Sequence, residues 1–128
     1  MINKMETDKI KLHPAMTCKL TLSAIEISKK LKEANERRIF VVSDDEKLMG
    51  IITTTDLVYR ALVENPNATA EEVMTKDVQS IDVMDSLEKS IEIMNKIKSF
   101  SCPVTKDGKI VGLISYHDVI NHVINPGA

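Results

Sequence analysis

The pattern of apolar and polar positions repeats along the chain and predicts one amphipathic helix in each half. Apolar residues recur at spacings of three and four, on Ala24, Ile27, Leu31 and Ala34 and again on Leu87, Ile91, Met94 and Ile97. Ser23 with Glu26 has the pattern of a capping box, and Ser86 stands where the second helix needs its cap. Oppositely charged residues four apart predict that the outer face of the first helix is solvated.

Two short apolar runs follow each predicted helix and indicate a β-hairpin. They cover residues 39–42 and 48–53 in the first half, and residues 102–105 and 109–115 in the second. Asp107-Gly108 is typical of a tight hairpin turn, whereas the first half carries Glu46 at the position of Gly108. The remaining predicted elements are extended stretches near 15–18 and 78–81, helices near 54–64 and 116–124, and a short helical stretch at 70–74.

A shift of 63 residues superimposes the first parts of the two halves, and after one extra residue in the Asp44-Asp45 turn the shift becomes 62. Gly50 then meets Gly112, and the following Thr53 and Asp56 meet Ser115 and Asp118. The alignment predicts one repeat at 9–64, a linker at 65–72 and a second repeat at 73–124, each ordered β-α-β-β-α. A three-stranded sheet with helices on one face leaves its other face uncovered. We therefore expect an α/β (α+β) fold in which the repeats pack sheet to sheet with pseudo-two-fold symmetry.

Composition and charge narrow the classes of function. The chain has 128 residues, a net charge of −2 and only 3% aromatic residues, which disfavours nucleic-acid binding. No apolar run is long enough to span a bilayer, and the polar first residues do not resemble a signal peptide, so we expect a cytoplasmic protein. Cys18 and Cys102 are isolated, which predicts reduced and buried thiols rather than a metal site or a disulfide framework.

The repeated motif carries a resemblance to a known family. Each half has Gly-x-x-Thr/Ser-x-x-Asp at the end of its hairpin, and the second half adds Val73-Met74-Thr75 and Cys102-Pro103-Val104. With these features the chain resembles a tandem pair of CBS domains, the regulatory module named after cystathionine β-synthase. The first half departs from the family pattern in having Phe40 where Pro103 stands in the second half, and Glu46 where Gly108 stands.

The resemblance implies ligand binding rather than catalysis. Similar pairs bind AMP, ADP, ATP or S-adenosylmethionine as regulatory ligands in clefts between the repeats and require no cofactor. Carried onto this chain, the family pattern assigns the ribose hydroxyls to Asp56 and Asp118, and the ribose or phosphate to Thr53 and Ser115. An ionised carboxylate accepts strong hydrogen bonds from vicinal hydroxyls. The N–H groups of the helix that begins there favour a phosphate.

A structural alternative stands beside this assignment. Thr-x-x-Asp and Ser-x-x-Asp are also capping boxes, in which the two side chains satisfy backbone N–H groups at the start of a helix. Any junction between a strand and a helix can use such a box. The two roles are compatible within one motif.

Arginine residues before the second strand are further candidates. Arg37 and Arg38 stand where related pairs carry phosphate-binding side chains, and the arginine fork suits that task. Alternatively, they are two more charges at a solvated helix end. The second half has Phe100-Ser101 at this position, so we expect the site nearer the arginines to prefer ligands with more phosphates.

Four other residues complete the candidate set. Thr17 and Ser80 occupy matching first-strand positions, where the resemblance implies backbone contacts with the base. Tyr116 and His117 lie inside the second motif, within reach of a phosphate or base. Each is equally compatible with an ordinary strand or helix position. His13 and His122 lack the spacing of a metal site.

The expected function is that of a stand-alone regulatory protein that binds an adenosine-containing ligand and signals to a partner that the sequence does not identify. The resemblance also implies a homodimer formed through helices. The alternative is a ligand-free interaction or dimerisation module in which the motifs act only as helix caps. The sequence contains no nucleophile-and-base motif of a known enzyme class. We therefore expect no enzymatic activity and no membrane or nucleic-acid partner.

Overall fold

A computed structural model of the protein describes residues 10–125. These residues divide into two compact units: one is Met16–Val78, and the other joins the chain before Met16 to the chain from Gln79 onward. The predicted start of the first repeat at residue 9 lies outside the described residues. In chain order the elements are β1 (Thr17–Lys19), α1 (Ala24–Ala34), β2 (Arg38–Val42), β3 (Leu48–Thr53), α2 (Thr54–Leu57) continued by a π-helical segment (Val58–Leu62), α3 (Ala70–Val73), β4 (Ile81–Asp82), α4 (Leu87–Ile97), β5 (Ser101–Lys106), β6 (Lys109–Ser115) and α5 (Tyr116–Ile124).

Each unit contains one three-stranded sheet of the same topology. The orders are β1-β2-β3 and β4-β5-β6. In both sheets the first pair of strands is parallel and the second pair is an antiparallel hairpin. Strand, helix, strand, strand and helix therefore follow one another twice, which confirms the predicted mixed α/β repeat.

The amphipathic helices α1 and α4 cover one face of their sheets. Ile27 and Leu31 of α1 pack with Ile39, Val41 and Ile52 in one buried cluster. Leu87 and Met94 of α4 do the same with Cys102, Val104 and Ile114 in the other unit. Burial of a large aliphatic side chain contributes roughly 1.5–3 kcal/mol, so these clusters are the main source of each unit's stability. Ala34, which the sequence places on the same stripe, is exposed.

Both helices begin and end in the same way. Ser23 and Ser86 accept hydrogen bonds from the backbone N–H three residues on, so both serines cap their helices, but Ser23 and Glu26 form only this half of the predicted capping box. The Glu26 carboxylate lies 3.3 Å from Lys29 Nζ. The helices end at Asn35 and Lys98, which adopt left-handed backbone conformations with φ of 54° and 55°.

The two hairpin turns differ in how they reach positive φ. Asp107 and Gly108 have φ of 54° and 80°, which suits a two-residue turn between twisted strands. Glu46 has φ of 70° although it carries a side chain. Its carboxylate pairs with Lys19 Nζ, and its N–H donates to the Ser43 carbonyl. These contacts hold the longer turn in a conformation that glycine adopts more readily.

The second helix of each repeat starts as predicted but continues differently. Helix α5 has the predicted bounds, 116–124. Helix α2 has only four α-helical residues before the backbone widens into the π-helical segment, and the whole ends at Leu62 rather than at 64. A π-helical turn at this point is a local irregularity that the apolar spacing does not reveal.

Short segments before the first strand of each repeat pair with the last strand of a sheet. Thr75 and Ile51 exchange two backbone hydrogen bonds at the free edge of β3, of 2.9 and 3.0 Å. His13 and Leu113 make the same exchange at the edge of β6, of 3.0 and 2.8 Å. Both pairs follow the 62-residue shift. Each sheet edge is thereby closed by chain from outside its own hairpin.

Candidate ligand-binding site

The first motif joins β3 to α2. Thr53 Oγ1 accepts a hydrogen bond from the Asp56 N–H at 3.2 Å, and Asp56 Oδ2 accepts one from the Thr53 N–H at 3.0 Å. This reciprocal pair is a capping box, so the predicted capping role is confirmed. The other oxygen, Oδ1, lies 3.9 Å from Arg60 Nη1.

The second motif repeats this geometry between β6 and α5. Ser115 Oγ accepts from the Asp118 N–H at 3.3 Å. Asp118 Oδ2 accepts from the N–H and the hydroxyl of Ser115, at 2.7 and 2.9 Å. Its other oxygen, Oδ1, accepts from His13 Nε2 at 3.0 Å. The capping role is confirmed here as well.

The two carboxylates therefore share one arrangement. In each, Oδ2 is committed to the helix cap, while Oδ1 faces a basic side chain. The side chains of Asp56 and Asp118 keep 23% and 15% of their surface exposed, so a solute can reach them. A half-buried carboxylate oxygen of this kind is a strong acceptor for hydroxyl groups. Capping alone does not prevent a second hydrogen bond to a ligand.

A third capping box provides a comparison within the same chain. Thr69 and Glu72 cap α3 through the same reciprocal hydrogen bonds. Those bonds lower the pKa of the Glu72 carboxyl, the backbone N–H of Thr69 having the largest effect. This box follows the Asn65-Pro66-Asn67 stretch rather than a hairpin. The chain thus contains a box of the same chemistry that the sequence does not associate with a ligand.

Three candidates from the first repeat share one face of their sheet. Thr17 pairs with Phe40, and Arg38 pairs with Thr53. Paired residues point to the same side of a sheet, as do residues two apart in one strand. Thr17, Arg38 and Thr53 therefore lie on the face opposite to α1.

The two arginines are placed differently. The Arg38 guanidinium stacks over the Phe40 ring, with Cζ 5.3 Å from the ring centre. This contact fixes the cation against an aromatic face. Arg37 lines a groove of about 390 Å³ between α1 and α2, together with Leu57 and Val58. Its carbonyl accepts the Thr54 N–H at 2.9 Å.

The remaining candidates lie in the second unit. Ser80 is half-buried and precedes β4 by one residue, so its predicted position within the strand is wrong. The Tyr116 ring packs on the hydrophobic cluster and meets the Phe100 ring edge to face, with centroids 6.4 Å apart. His117 is exposed in the first turn of α5.

Sequence reasoning missed the side chains that stand at the two carboxylates. His13 is 105 residues from Asp118, and Arg60 lies one helical turn beyond Asp56. The i,i+4 spacing of Asp56 and Arg60 is visible in the sequence. The sequence carries no such signal for His13, because only the backbone pairing with Leu113 places it like Thr75, which pairs with Ile51.

Both thiols are buried, as predicted, and neither is in a disulfide. Burial raises the pKa of the Cys18 thiol to about 11, although Lys30 lowers it in part. Among residues 10–125, His, Cys, Asp and Glu side chains form no group of three that would hold a metal ion. None of the helices in that part of the chain is long and apolar enough to cross a membrane.

Comparison with known proteins gives a match over both halves of the chain. The model of the CBS domain family matches residues 8–62 and 70–125. YlbB of Bacillus subtilis strain 168 is 31% identical over 105 residues, which are 80% of this chain and 71% of that protein. An inosine-5'-monophosphate dehydrogenase of Nitrosopumilus maritimus is 34% identical over 91 residues, which are 70% of this chain and 18% of the enzyme. The chain thus spans less than a fifth of that dehydrogenase.

A solved structure shows the same fold. The CBS domain pair of protein MJ0100, in complex with 5'-methylthioadenosine and S-adenosyl-L-methionine, superimposes with a TM-score of 0.70. The two sequences are 28% identical, and the match covers 93% of this chain and 95% of that one.

Proposed function

This chain belongs to the CBS domain family, and from that premise we propose that it is a regulatory module that binds adenosine-containing small molecules at Asp56 and Asp118. One observation carries the proposal: each carboxylate holds its helix cap through Oδ2, its Oδ1 faces a basic side chain, and the carboxylate side chain stays partly exposed. A ribose offers two neighbouring hydroxyls, which an ionised carboxylate binds through charge-assisted hydrogen bonds.

The comparison with MJ0100 supports the ligand class. Its two bound ligands, 5'-methylthioadenosine and S-adenosyl-L-methionine, are both adenosine derivatives with an intact ribose diol. They differ in what is attached to the ribose, so the diol and the base are the features that they share. AMP, ADP and ATP carry the same two features and belong to the same proposal. The role is regulatory binding rather than catalysis.

The sheet face of the first repeat supplies further contacts in this proposal. Thr17 and Thr53 flank the strand that carries Arg38 on the same face. Arg38, held over Phe40, offers a cation to a phosphate or carboxylate of the ligand. In the second repeat, Ser115 has the role proposed for Thr53, and the exposed His117, with Ser80 and Tyr116, completes the candidate contacts.

In this proposal the regulatory signal is a change in how the chain associates with another protein through its helices. The π-helical segment and α5 leave apolar side chains exposed, among them Val58 at 50%, Ile120 at 52% and Ile124 at 68%. Apolar residues at helical spacing on an outer surface are typical of a surface that associates with another protein. A second copy of the chain is the partner in this proposal, and a ligand that favours one form of the dimer changes what a further protein recognises.

The experiment is a thermal-shift titration with AMP, ADP, ATP, S-adenosylmethionine and GTP. A ligand at 100 times its dissociation constant stabilises the native state by about 2.7 kcal/mol, which at this size raises Tm by several degrees. Asp56→Ala and Asp118→Ala each remove a carboxylate. Thr69→Ala is the matched control, because it breaks a capping box that has no proposed ligand.

The two outcomes separate ligand binding from capping. The proposal is supported if adenosine ligands raise Tm, if Asp56→Ala or Asp118→Ala reduces that rise, and if Thr69→Ala retains it. No shift with any ligand, combined with lower stability in all three variants, makes a ligand-free interaction module the better description. The three capping boxes and the exposed apolar helix faces are the observations that favour that second candidate.

A further inference from the structure

The two motifs differ in the side chain that reaches their carboxylate from the preceding segment. His13 Nε2 donates to Asp118 Oδ1 at 3.0 Å, and the imidazole itself is 58% exposed. It therefore occupies the oxygen that the helix cap leaves available. A ribose hydroxyl that binds this oxygen has to displace the imidazole or share the acceptor with it.

The equivalent backbone position in the other unit carries a different side chain. His13 pairs with Leu113 by two backbone hydrogen bonds, and Thr75 pairs with Ile51 in the same way. The 62-residue shift relates the two pairs, so the segments hold equivalent places against β6 and β3. One place holds histidine and the other threonine, and of these two residue types only histidine can gain a charge in the physiological pH range.

Resting on the proposed function, we infer that His13 competes with the ligand's ribose for Asp118. The Asp118 motif therefore binds the ligand more weakly than the Asp56 motif does. This difference in affinity grows as the pH falls. A protonated imidazole binds a carboxylate more strongly than a neutral imidazole does, because the hydrogen bond then joins a cation to an anion. Arg60 lies beside the Asp56 carboxylate, but its Nη1 is 3.9 Å from Asp56 Oδ1. The charge of arginine is also the same at lower and at neutral pH.

The charged groups around His13 come from two elements. Lys11 lies on the same segment, and α5 contributes Asp118 and His122, all of which line one cleft of about 400 Å³. Strand β6 faces the segment with Leu113. Lys11 and His122 are the other basic side chains of this cleft, and His122 needs its own control because histidine is the residue type whose charge responds to physiological pH.

The test isolates each motif and measures binding by calorimetry at pH 8 and pH 6. The probe is 5'-methylthioadenosine, whose charge is the same at both pH values. In Asp56→Ala, which leaves the Asp118 motif, we expect affinity about three- to fivefold weaker at pH 6, as for a partly exposed ion pair. Adding His13→Thr, the residue found at the equivalent position, removes this pH dependence and tightens binding at pH 6 by a similar factor.

Two control variants complete the design. His122→Asn in the Asp56→Ala background retains the pH dependence, because His122 is not the competing group. Asp118→Ala, which leaves the Asp56 motif, binds equally at both pH values. Thr75→His in that background introduces the pH dependence that His13 gives the other motif.

Each result has one interpretation. If both single-motif variants bind the probe and His13→Thr changes the affinity at neither pH, the inference is overturned and the proposed function stands. Tighter rather than weaker binding at pH 6 also overturns it, because the imidazolium then contacts the ligand instead of competing with it. The absence of binding to the unmodified protein and to every variant overturns the proposed function, and this inference with it.

Discussion

Gly50 lies so close to Met74 that a Cβ built on Gly50 would stand 2.5 Å from Met74 Sδ. The equivalent Gly112 lies beneath Leu12, whose Cβ would be 2.7 Å from such an atom. The first residue of each Gly-x-x-Thr/Ser-x-x-Asp motif is thus explained by packing. Only glycine lets the segment before each repeat cross the edge strand closely enough for Thr75 and His13 to pair with it.

The two glycines differ in how much room a larger residue would have, which gives a first prediction. At Gly50 the added methyl group meets Met74 side-chain atoms, of which Sδ can swing away, whereas Cβ at 2.9 Å needs a small shift of the segment. At Gly112 it also meets the His13 carbonyl oxygen at 2.8 Å, and that backbone is held by two hydrogen bonds. We expect Gly112→Ala to cost about 2–3 kcal/mol and Gly50→Ala about 1 kcal/mol in urea unfolding. Equal losses of stability in the two variants would show that the backbone at His13 moves aside as easily as the Met74 side chain.

The local elements of the fold were accessible from the sequence, because their causes are local. Periodicity and capping residues placed α1 and α4, and β-branched runs placed β3 and β6 with the observed bounds. The π-helical segment was not predicted, since apolar spacing alone does not distinguish it from an α-helix. The positive φ of Glu46 was not predicted either, because it depends on contacts with Lys19 and Ser43.

The candidate site was only partly accessible from the sequence. The motif residues were found because repetition marks them, and their capping bonds are local. His13 was missed because its partner Asp118 is distant in sequence, and its place is fixed by an isolated bridge to Leu113. Two residues brought together in this way leave no periodic signal for sequence analysis to detect.

Arg38 provides a second prediction, on ligand preference. Its guanidinium is held over Phe40, on the sheet face that also carries Thr17 and Thr53. A positioned arginine adds charge-assisted hydrogen bonds to each phosphate that it reaches. We expect Arg38→Ala to weaken ATP binding roughly tenfold and AMP binding much less, measured by calorimetry. Arg37→Ala is the control for loss of charge alone. An equal loss of ATP and AMP affinity in Arg38→Ala would contradict this prediction.

The exposed apolar face of α5 provides a third prediction, on assembly. Ile120, Val123 and Ile124 are 52%, 53% and 68% exposed, and their spacing places them along one side of the helix. Ile120→Lys keeps a good helix former but puts a charge on this surface. Light scattering after gel filtration should show a dimer for the unmodified protein and a monomer for the variant.

The control for that prediction places the same charge elsewhere on α5. Asn121→Lys should remain dimeric, because residue 121 lines the cleft beside Lys11 rather than the apolar side. A monomeric unmodified protein, or dissociation by both variants alike, would rule out this face as the dimer contact.

Cys18 gives a fourth prediction, on stability at alkaline pH. Burial raises the pKa of its thiol to about 11, whereas an unfolded cysteine ionises near 8.5. Because the folded value is the higher one, the contribution to stability is complete below about pH 8.5 and is lost as the pH rises toward 11. The unfolded state then releases a proton that the native state retains. We expect a loss of about 2 kcal/mol at pH 10 relative to pH 7.5, measured by urea unfolding.

The control for this prediction is Cys18→Ala. This variant is less stable at pH 7.5, because it leaves a small cavity in the α1 cluster, but it should lose less stability on going to pH 10. Tyrosine and lysine titrations affect both proteins equally and cancel in this difference. Identical slopes would mean that the thiol ionises as readily in the native state as in the unfolded chain.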